Sequence, residues 1–438
     1  MQVSVETTSE LSRKMTVQVP EDKVQEQVAS RLKSLARKVK IDGFRPGKAP
    51  QSVINKRYAS SVREEVLADL IQSSFYEAIQ AEKLNPAAGP MITPQDSGEG
   101  QGLNYVADFE VVPEFVLMPL ETLEVKRYVS EVTDEDLEAM VLRLREQRKT
   151  WHATGREAVV GDRLTITFEG RAEGEDFTNG KVENFQIVLG SDSMIPGFED
   201  KLVGASVGAK LSFELGFPDE YTHEKLAGKL AQFEVEVMTI EEGVLPEEDA
   251  ELARAFGVED GDVSVFRADV KDNMQREMSR SLKSRTKNSV MDALYQAHAT
   301  LGLPRVLVEQ ELKQLITPYQ ETAQRRNQSF DTASMSSNLE PVAKRRVALG
   351  LILNKIIEGE RVKVDPGKVR KAIEEIAMSY ENPEQVVQWY YSNQDQLHQV
   401  ENIVIEDQAV DAVLAKAQVV EEGIAFKDLM QTAQPSMT

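Results

Sequence analysis

The chain has 438 residues, 28% of them charged and 41% hydrophobic, with a formal net charge of −22 and no cysteine. That length exceeds one hydrophobic core and calls for several domains; the charge excludes a general nucleic-acid binder, and the missing cysteine excludes disulfides, thiolate chemistry and Cys-based metal sites. The histidines (His152, His223, His298, His398) lack ligand spacing, no apolar run reaches the length of a membrane span, and Met1-Gln2-Val3-Ser4-Val5-Glu6 lacks the basic and apolar regions of a secretion signal, so the chain reads as cytoplasmic, with no cofactor and no membrane contact.

The first 112 residues read as an α+β unit. Val3-Val5 and Met15-Val17-Val19 alternate as strands, and Pro20-Glu21-Asp22 opens a helix with acids at its positive end. Val24, Val28, Leu32, Leu35 and Val39 continue it at helical spacing. A second helix carries Val62, Val66, Leu70, Phe75 and Ile79, and Tyr105, Ala107, Phe109 and Val111 alternate as a returning strand. Residues 113–150 read as a linker, marked by Pro113 and Pro119 and ending in a charged helix that starts at Thr133-Asp134. Over 151–245 glycines punctuate alternating strands, Leu164-Ile166-Phe168, Phe185-Ile187-Leu189, Leu211-Phe213-Leu215-Phe217 and Phe233-Val235-Val237, with one short helix near Phe198–Leu202.

Residues 246–438 read as almost wholly helical. One helix spans Asp262–Thr300, and its middle, Lys283-Ser284-Arg285-Thr286-Lys287-Asn288-Ser289, has no apolar residue, which predicts a protruding hairpin with a thin seam. Pro304 and Pro341 open further helices, later ones start near Asp365-Pro366, Asn382-Pro383 and Glu406, and a disordered tail is expected from about residue 431. Met274, Met278 and Met291 suit either adaptable contact with apolar partners or helix packing. Trp389-Tyr390-Tyr391 reads as core rather than a contact surface.

Two motifs carry function. Between Arg31 and Arg63 lie ten Lys/Arg and one acid, Asp42, a positive island on an acidic chain. At its centre Gly43-Phe44-Arg45-Pro46-Gly47-Lys48-Ala49-Pro50 breaks two helices and presents an aromatic ring between cations, either an ordinary helix–helix turn or a docking tip for something large and anionic. In the β-rich segment, Phe177, Phe198 and Tyr221 sit in loops or at a helix entry, where aromatics that converge line a pocket.

Phe168-Glu169-Gly170, Phe177, Met194-Ile195-Pro196-Gly197-Phe198-Glu199, Phe217-Pro218-x-x-Tyr221 and Phe233-x-Val235-x-Val237 resemble the FKBP-type prolyl isomerase pattern. The resemblance implies a half-wrapped sheet closed on one helix, and a proline pocket lined by Phe168, Phe177, Phe185, Met194, Ile195, Phe198, Tyr221 and Phe233. The backbone N–H of Ile195 and the hydroxyl of Tyr221 would hold substrate carbonyls. X–Pro rotation crosses a barrier of roughly 18–20 kcal/mol through a twisted amide that is less polar than the planar one, so a dry aromatic pocket favours it without acid, base or metal. Two departures from the pattern are Thr178, where an acid is common, and Phe198, where tryptophan is common.

The octet together with the domain order is similar to the trigger factor family of bacterial ribosome-associated chaperones. This implies a multidomain α+β chain: an α+β ribosome-docking domain (1–112), the linker, an FKBP-like isomerase domain (151–245) and an all-α chaperone domain with helical arms (246–438). Gly43, Phe44, Arg45, Pro46, Gly47 and Lys48 would dock on an exit-site ribosomal protein and adjacent ribosomal RNA, with Pro46 standing where the signature has a further cation. Nascent and unfolded polypeptides are the implied clients, and a homodimer is the implied free state. No Gly-x-x-x-x-Gly-Lys loop is present, so ATP is not expected to take part. A free isomerase with dimerising helices and an RNA-binding protein using the 31–63 patch are the competing readings; the first leaves the cationic tip unexplained, and the second conflicts with the net charge of −22.

Overall fold

The computed structural model describes residues 1–39, 44, 50–95, 102–172, 175–178, 180–221, 223, 226–326, 328, 330–378 and 380–431. In chain order the elements are β1 (Gln2–Thr7), β2 (Ser12–Val19), α1 (Glu21–Lys38), α2 (Gln51–Glu82), β3 (Met91–Gln95), β4 (Leu103–Glu110), β5 (Glu124–Val129), α3 (Asp134–Gln147), β6 (Thr150–Ala153), β7 (Arg163–Ala172), β8 (Glu175–Asp176), β9 (Val182–Val188), β10 (Lys210–Gly216) and β11 (Leu230–Val244). There follow α4 (Ala250–Ala255), α5 (Val263–Ala297), α6 (Arg305–Arg325), α7 (Thr332–Gly359), α8 (Pro366–Ala377), α9 (Pro383–Ser392), α10 (Gln394–Lys416), β12 (Gln418–Gly423) and α11 (Phe426–Gln431). They form two compact units, neither continuous in sequence: Met1–Tyr128 with Ser284–Glu422, and Val129–Lys283 with the chain from Gly423.

In the first unit an antiparallel sheet of order β1-β2-β4-β3 buries Met15, Val17 and Val19 of β2 beside Leu103, Tyr105, Ala107 and Phe109 of β4. Alternation along each strand sends these side chains to one face, which Val24 and Leu32 of α1 and Val62, Val66 and Leu70 of α2 cover. Gly102 enters β4 with φ +81°, where a Cβ would meet the Val19 carbonyl oxygen at 2.3 Å. Its N–H donates to Glu21 at 3.1 Å, and Glu21 also receives both guanidinium nitrogens of Arg63 at 2.9 Å. These bonds, led by that of Arg63, hold the Glu21 carboxyl down at about 2.

The remainder of the first unit is mostly helical. Val290, Met291 and Leu294 of α5 share a core with Ile352 and Ile356 of α7, Val410 and Val413 of α10, and Leu120, Leu123 and Val125. A smaller core joins Val369 and Ile373 of α8 to Val400 and Val404 of α10. The two-stranded sheet β12-β5 completes the unit.

In the second unit β10-β11-β7-β8 run in order, with β9 also on β7 and β6 also on β11. A separate core joins Leu137 and Val141 of α3 to Leu252 of α4, Phe266, Val270 and Met274 of α5, and Phe426 of α11. Thr133 caps α3 in a reciprocal capping box with Asp136.

Several helical expectations change. The polar middle of α5 is not a bare hairpin: Arg285 stacks on Tyr128 at 4.9 Å, Lys287 pairs with Glu406 at 3.0 Å and Asp407 at 2.9 Å, and Thr286 is buried. The cations Arg285 and Lys287 enter a packed body because each finds a partner there. Pro341 lies inside α7, which starts nine residues earlier at Thr332 under the cap of Asp331. The last long helix starts at Gln394, capped by Asn393, rather than near Glu406. The short helix after Phe198 is a single 3-10 turn, Asp200–Leu202. The tail expected from residue 431 lies outside the described residues beyond Gln431, and no described helix is long and apolar enough to cross a membrane.

Candidate functional site

The aromatic residues of the second unit converge because the sheet register makes them. Phe233 on β11 stands opposite Gly170 on β7 and Phe213 on β10, and Phe168 stands opposite Val235. Gly170 leaves room for a ring: a Cβ there would lie 2.3 Å from the Phe177 Cζ. The Phe177 ring therefore lies over the strand, edge-on to Phe217 at 5.5 Å and to Phe233 at 5.8 Å. Phe217 stacks obliquely on Tyr221 at 4.7 Å.

These rings surround a cavity of about 380 Å³. Phe168 and Phe233 come from strands, Phe177 and Thr178 form one wall, Ser193, Met194, Ile195 and Pro196 a second, and Phe217, Pro218 and Tyr221 a third. None of these residues is charged. By contrast, a depression of about 280 Å³ in the same unit mixes Phe168, Leu211 and Val235 with five charged side chains, Glu169, Lys181, Lys210, Glu234 and Glu236.

Of the eight residues expected to line a proline pocket, the structure brings six around this cavity: Phe168, Phe177, Met194, Ile195, Tyr221 and Phe233. Phe198 is 0% exposed and lies beneath, edge-on to Phe233 at 5.2 Å and Phe213 at 5.4 Å. Gly197, at φ +85°, makes the sharp turn immediately before it. Phe185 packs on Phe168 at 5.5 Å and does not line the cavity. Phe217, Thr178, Ser193, Pro196 and Pro218 are lining residues that were not expected; Phe217 and Pro218 stood inside the quoted motif, so their spacing to Tyr221 was the available signal.

Two carboxylates stand behind the walls. Burial acts to raise the Glu199 carboxyl, but hydrogen bonds from Ser193, Gly190 and Asp192 outweigh it and hold the group below its usual range. The exposed Asp176 is likewise lowered, first by the Thr178 hydroxyl and then by the Gly180 and Thr178 amides. Among the described residues no cluster of His, Asp and Glu could hold a metal. The uncharged, largely apolar walls suit selection of an apolar group by shape.

At the other candidate site, α1 ends at Lys38 and α2 begins at Gln51 behind Pro50. Phe44 between them is exposed, at 40%. Gly43, Arg45, Pro46, Gly47 and Lys48 lie outside the described residues. The positive island is smaller than counting suggested: Arg31 pairs with Glu65, and Arg63 with Glu21. Lys33, Arg37, Lys56 and Arg57 remain exposed on the two helices.

Family models match over three stretches: bacterial trigger factor protein over residues 1–144, FKBP-type peptidyl-prolyl cis-trans isomerase over 154–238, and bacterial trigger factor protein C-terminus over 262–415. The trigger factor of Stutzerimonas stutzeri is 43% identical over 435 residues, 99% of each chain. That of Pseudoalteromonas atlantica is 43% identical over 433 residues, 98% of this chain and 99% of the relative. A solved structure, described under promiscuous substrate recognition in folding and assembly by the trigger factor chaperone, aligns with a TM-score of 0.49 at 17% identity, covering 95% of this chain and 100% of that one. On the sequence matches, over nearly the full length of both relatives, the chain belongs to the trigger factor family and carries an FKBP-type peptidyl-prolyl cis-trans isomerase domain.

Proposed function

We propose that the protein is an ATP-independent cytoplasmic chaperone that docks beside the ribosomal exit tunnel, holds emerging chains and isomerises their X–Pro bonds in the cavity built by Phe168, Phe177, Met194, Ile195, Tyr221 and Phe233. The observation that carries the isomerase reading is the uncharged, mostly apolar and aromatic-rich lining of a cavity of about 380 Å³ within the FKBP-type domain. Such a lining binds the twisted, less polar amide better than the planar one, which is the requirement for lowering the barrier. Phe198 supports the floor from below, and Phe185 braces Phe168. The domain boundaries we assign are 1–112, 113–150, 151–245 and 246–438.

Docking is assigned to residues 43–48, with the exposed ring of Phe44 as the apolar anchor and the cations of α1 and α2 facing ribosomal RNA beside an exit-site protein. Contact with phosphates releases counterions, so this binding weakens steeply with salt. Clients are assigned to the helical part of the chain. Trp389 is 52% exposed and Tyr391 47%, with Tyr380 and Met378 also exposed, so these two side chains of Trp389-Tyr390-Tyr391 support a contact surface, while Tyr390 packs on the core as expected of it. Away from the ribosome the homodimer is the assigned state.

Co-sedimentation with ribosomes across a salt series tests docking. The full chain is expected to pellet with ribosomes at modest ionic strength, and a variant with Phe44, Arg45 and Pro46 all changed to Ala is expected to stay in the supernatant. Equal pelleting of both proteins would remove the docking assignment.

A further inference from the structure

The two carboxylates behind the cavity walls touch neither each other nor the cavity lumen, yet each organises one wall. Glu199 Oε2 accepts the N–H groups of Gly190 at 2.7 Å, Ser191 at 2.8 Å and Asp192 at 3.2 Å. Its Oε1 accepts the Ser193 N–H at 2.9 Å and the hydroxyls of Ser191 and Ser193 at 3.2 Å. Four consecutive amides thus converge on one carboxylate that is only 7% exposed. Their convergence needs an unusual backbone: Gly190 has φ +84°, and Asp192, which has a side chain, has φ +52°. A non-glycine residue in that region costs energy that the surrounding bonds must offset. The next residues along the chain are Met194 and Ile195, which form the wall.

The opposite wall has the same design in smaller form. Asp176 Oδ1 accepts the Thr178 N–H at 2.9 Å and the Thr178 hydroxyl at 2.7 Å, and Oδ2 accepts the Gly180 N–H at 2.7 Å. The Thr178 oxygen in turn accepts the Gly170 N–H at 3.2 Å, while the Phe177 N–H donates to the Gly170 carbonyl at 3.2 Å. The turn bearing Phe177 is thereby stitched to β7 on both sides of the ring. At this position Thr178 spends its only proton on Asp176, so the wall is held by a charge that stays outside the cavity.

We propose that Glu199 and Asp176 are positioning residues of the isomerase, each clamping one wall so that the cavity keeps the width a twisted X–Pro amide requires. The proposal rests on reading this cavity as the isomerase site. A displacement of about 1 Å in a positioning group can cost on the order of a hundredfold in rate. Replacing a carboxylate by a carboxamide keeps the volume but turns one acceptor into a donor, which then faces the N–H groups it should receive.

The test compares Glu199→Gln and Asp176→Asn, singly and together, in the full chain. The kcat and KM for a chromogenic tetrapeptide with a Leu–Pro bond are measured, with thermal unfolding and amide hydrogen exchange alongside. Each single variant is expected to lower kcat about tenfold with little change in KM, and the double variant about a hundredfold, because independent clamps act additively. Faster exchange at Ser191–Ser193 is expected in Glu199→Gln and not in Asp176→Asn. Folded single variants that keep the wild-type kcat overturn the proposal, as does a loss of turnover that merely follows the unfolded fraction. Should Glu199→Gln not fold, Ser191→Ala removes one hydroxyl donor from the clamp, together with its 3.0 Å bond to the Ser193 hydroxyl, while leaving every lining residue in the sequence unchanged. It is expected to lower kcat about threefold at an unchanged unfolding midpoint, and full activity there also overturns the proposal. Phe177→Ala separates the two levels. If it retains full turnover, the cavity reading fails; if it loses turnover while the carboxamide variants keep theirs, only the positioning role fails.

Discussion

Phe198 and Gly170 divide the labour at the cavity in a way their positions in the sequence do not announce. Phe198 is fully buried beneath Phe233, so Phe198→Ala would empty a core site at a cost of about 3–5 kcal/mol and unfold much of the domain before it informed on catalysis. Gly170 is the sharper probe, because a methyl there would stand 2.3 Å from the Phe177 ring and push it out of the wall. We predict that Gly170→Ala lowers kcat/KM for a prolyl peptide by about tenfold or more while the domain stays folded, as checked by peptide isomerisation and circular dichroism; unchanged turnover would remove Phe177 from the site. In the first unit, the Glu21 carboxyl is held at about 2 against an ordinary 4.5, chiefly by Arg63. A depressed carboxyl stabilises the fold above its unfolded value and loses that contribution as pH falls through the folded one. The unit is therefore predicted to lose stability between pH 4.5 and about 2, and Glu21→Gln is predicted to flatten that part of the profile in denaturant melts.

At the scale of elements, α9 is the helix whose surface departs furthest from its reading. None of its residues is buried, and its neighbour α8 anchors the small core through Val369 and Ile373. An amphipathic pair that leaves Trp389 and Tyr391 half in water keeps apolar area available for weak, reversible contact. Changing both to Ala is predicted to weaken binding of an unfolded client several-fold while altering stability by less than about 0.5 kcal/mol each, since neither fills a core. Fluorescence anisotropy with a labelled unfolded protein measures the first effect and thermal melts the second; unaltered client affinity would move the contact elsewhere. Helix α7 shows the converse case, a local rule overridden. Proline normally opens a helix, yet the Asp331 cap and the packing of Ala343, Ala348 and Ile352 extend α7 through Pro341. Likewise α5 tolerates a polar middle because Tyr128, Glu406 and Asp407 are waiting for its cations.

On the scale of the whole molecule, a chain with net charge −22 carries the exposed cations Lys33, Arg37, Lys56 and Arg57 on α1 and α2 and its uncharged cavity in a different compact unit. Docking and isomerisation are then predicted to be separable. The Phe44, Arg45 and Pro46 to Ala variant should retain full prolyl peptide turnover, and Gly170→Ala should retain ribosome binding; parallel loss of both activities in either variant would contradict two independent sites.

Periodicity and motif spacing in this chain determine the identity of most elements and the family, and bring Phe168, Phe177, Tyr221 and Phe233 of the cavity lining into view, because strand alternation and helical spacing are local consequences of backbone geometry. Met15-Val17-Val19 and Leu164-Ile166-Phe168 could be assigned to strands from alternation alone, and Phe217 and Tyr221 are linked by a five-residue motif. Only the tertiary structure decides which face a ring presents, where a helix containing proline begins, and whether a run of polar residues is solvated or paired. Gly197 precedes a Phe198 ring that is buried, Lys287 meets acids more than a hundred residues away, and Glu199 gathers the amides of a loop that precedes it in the chain. Each of these outcomes depends on partners brought together by folding, and the energy of a buried polar group is set by its partners rather than by its neighbours in sequence.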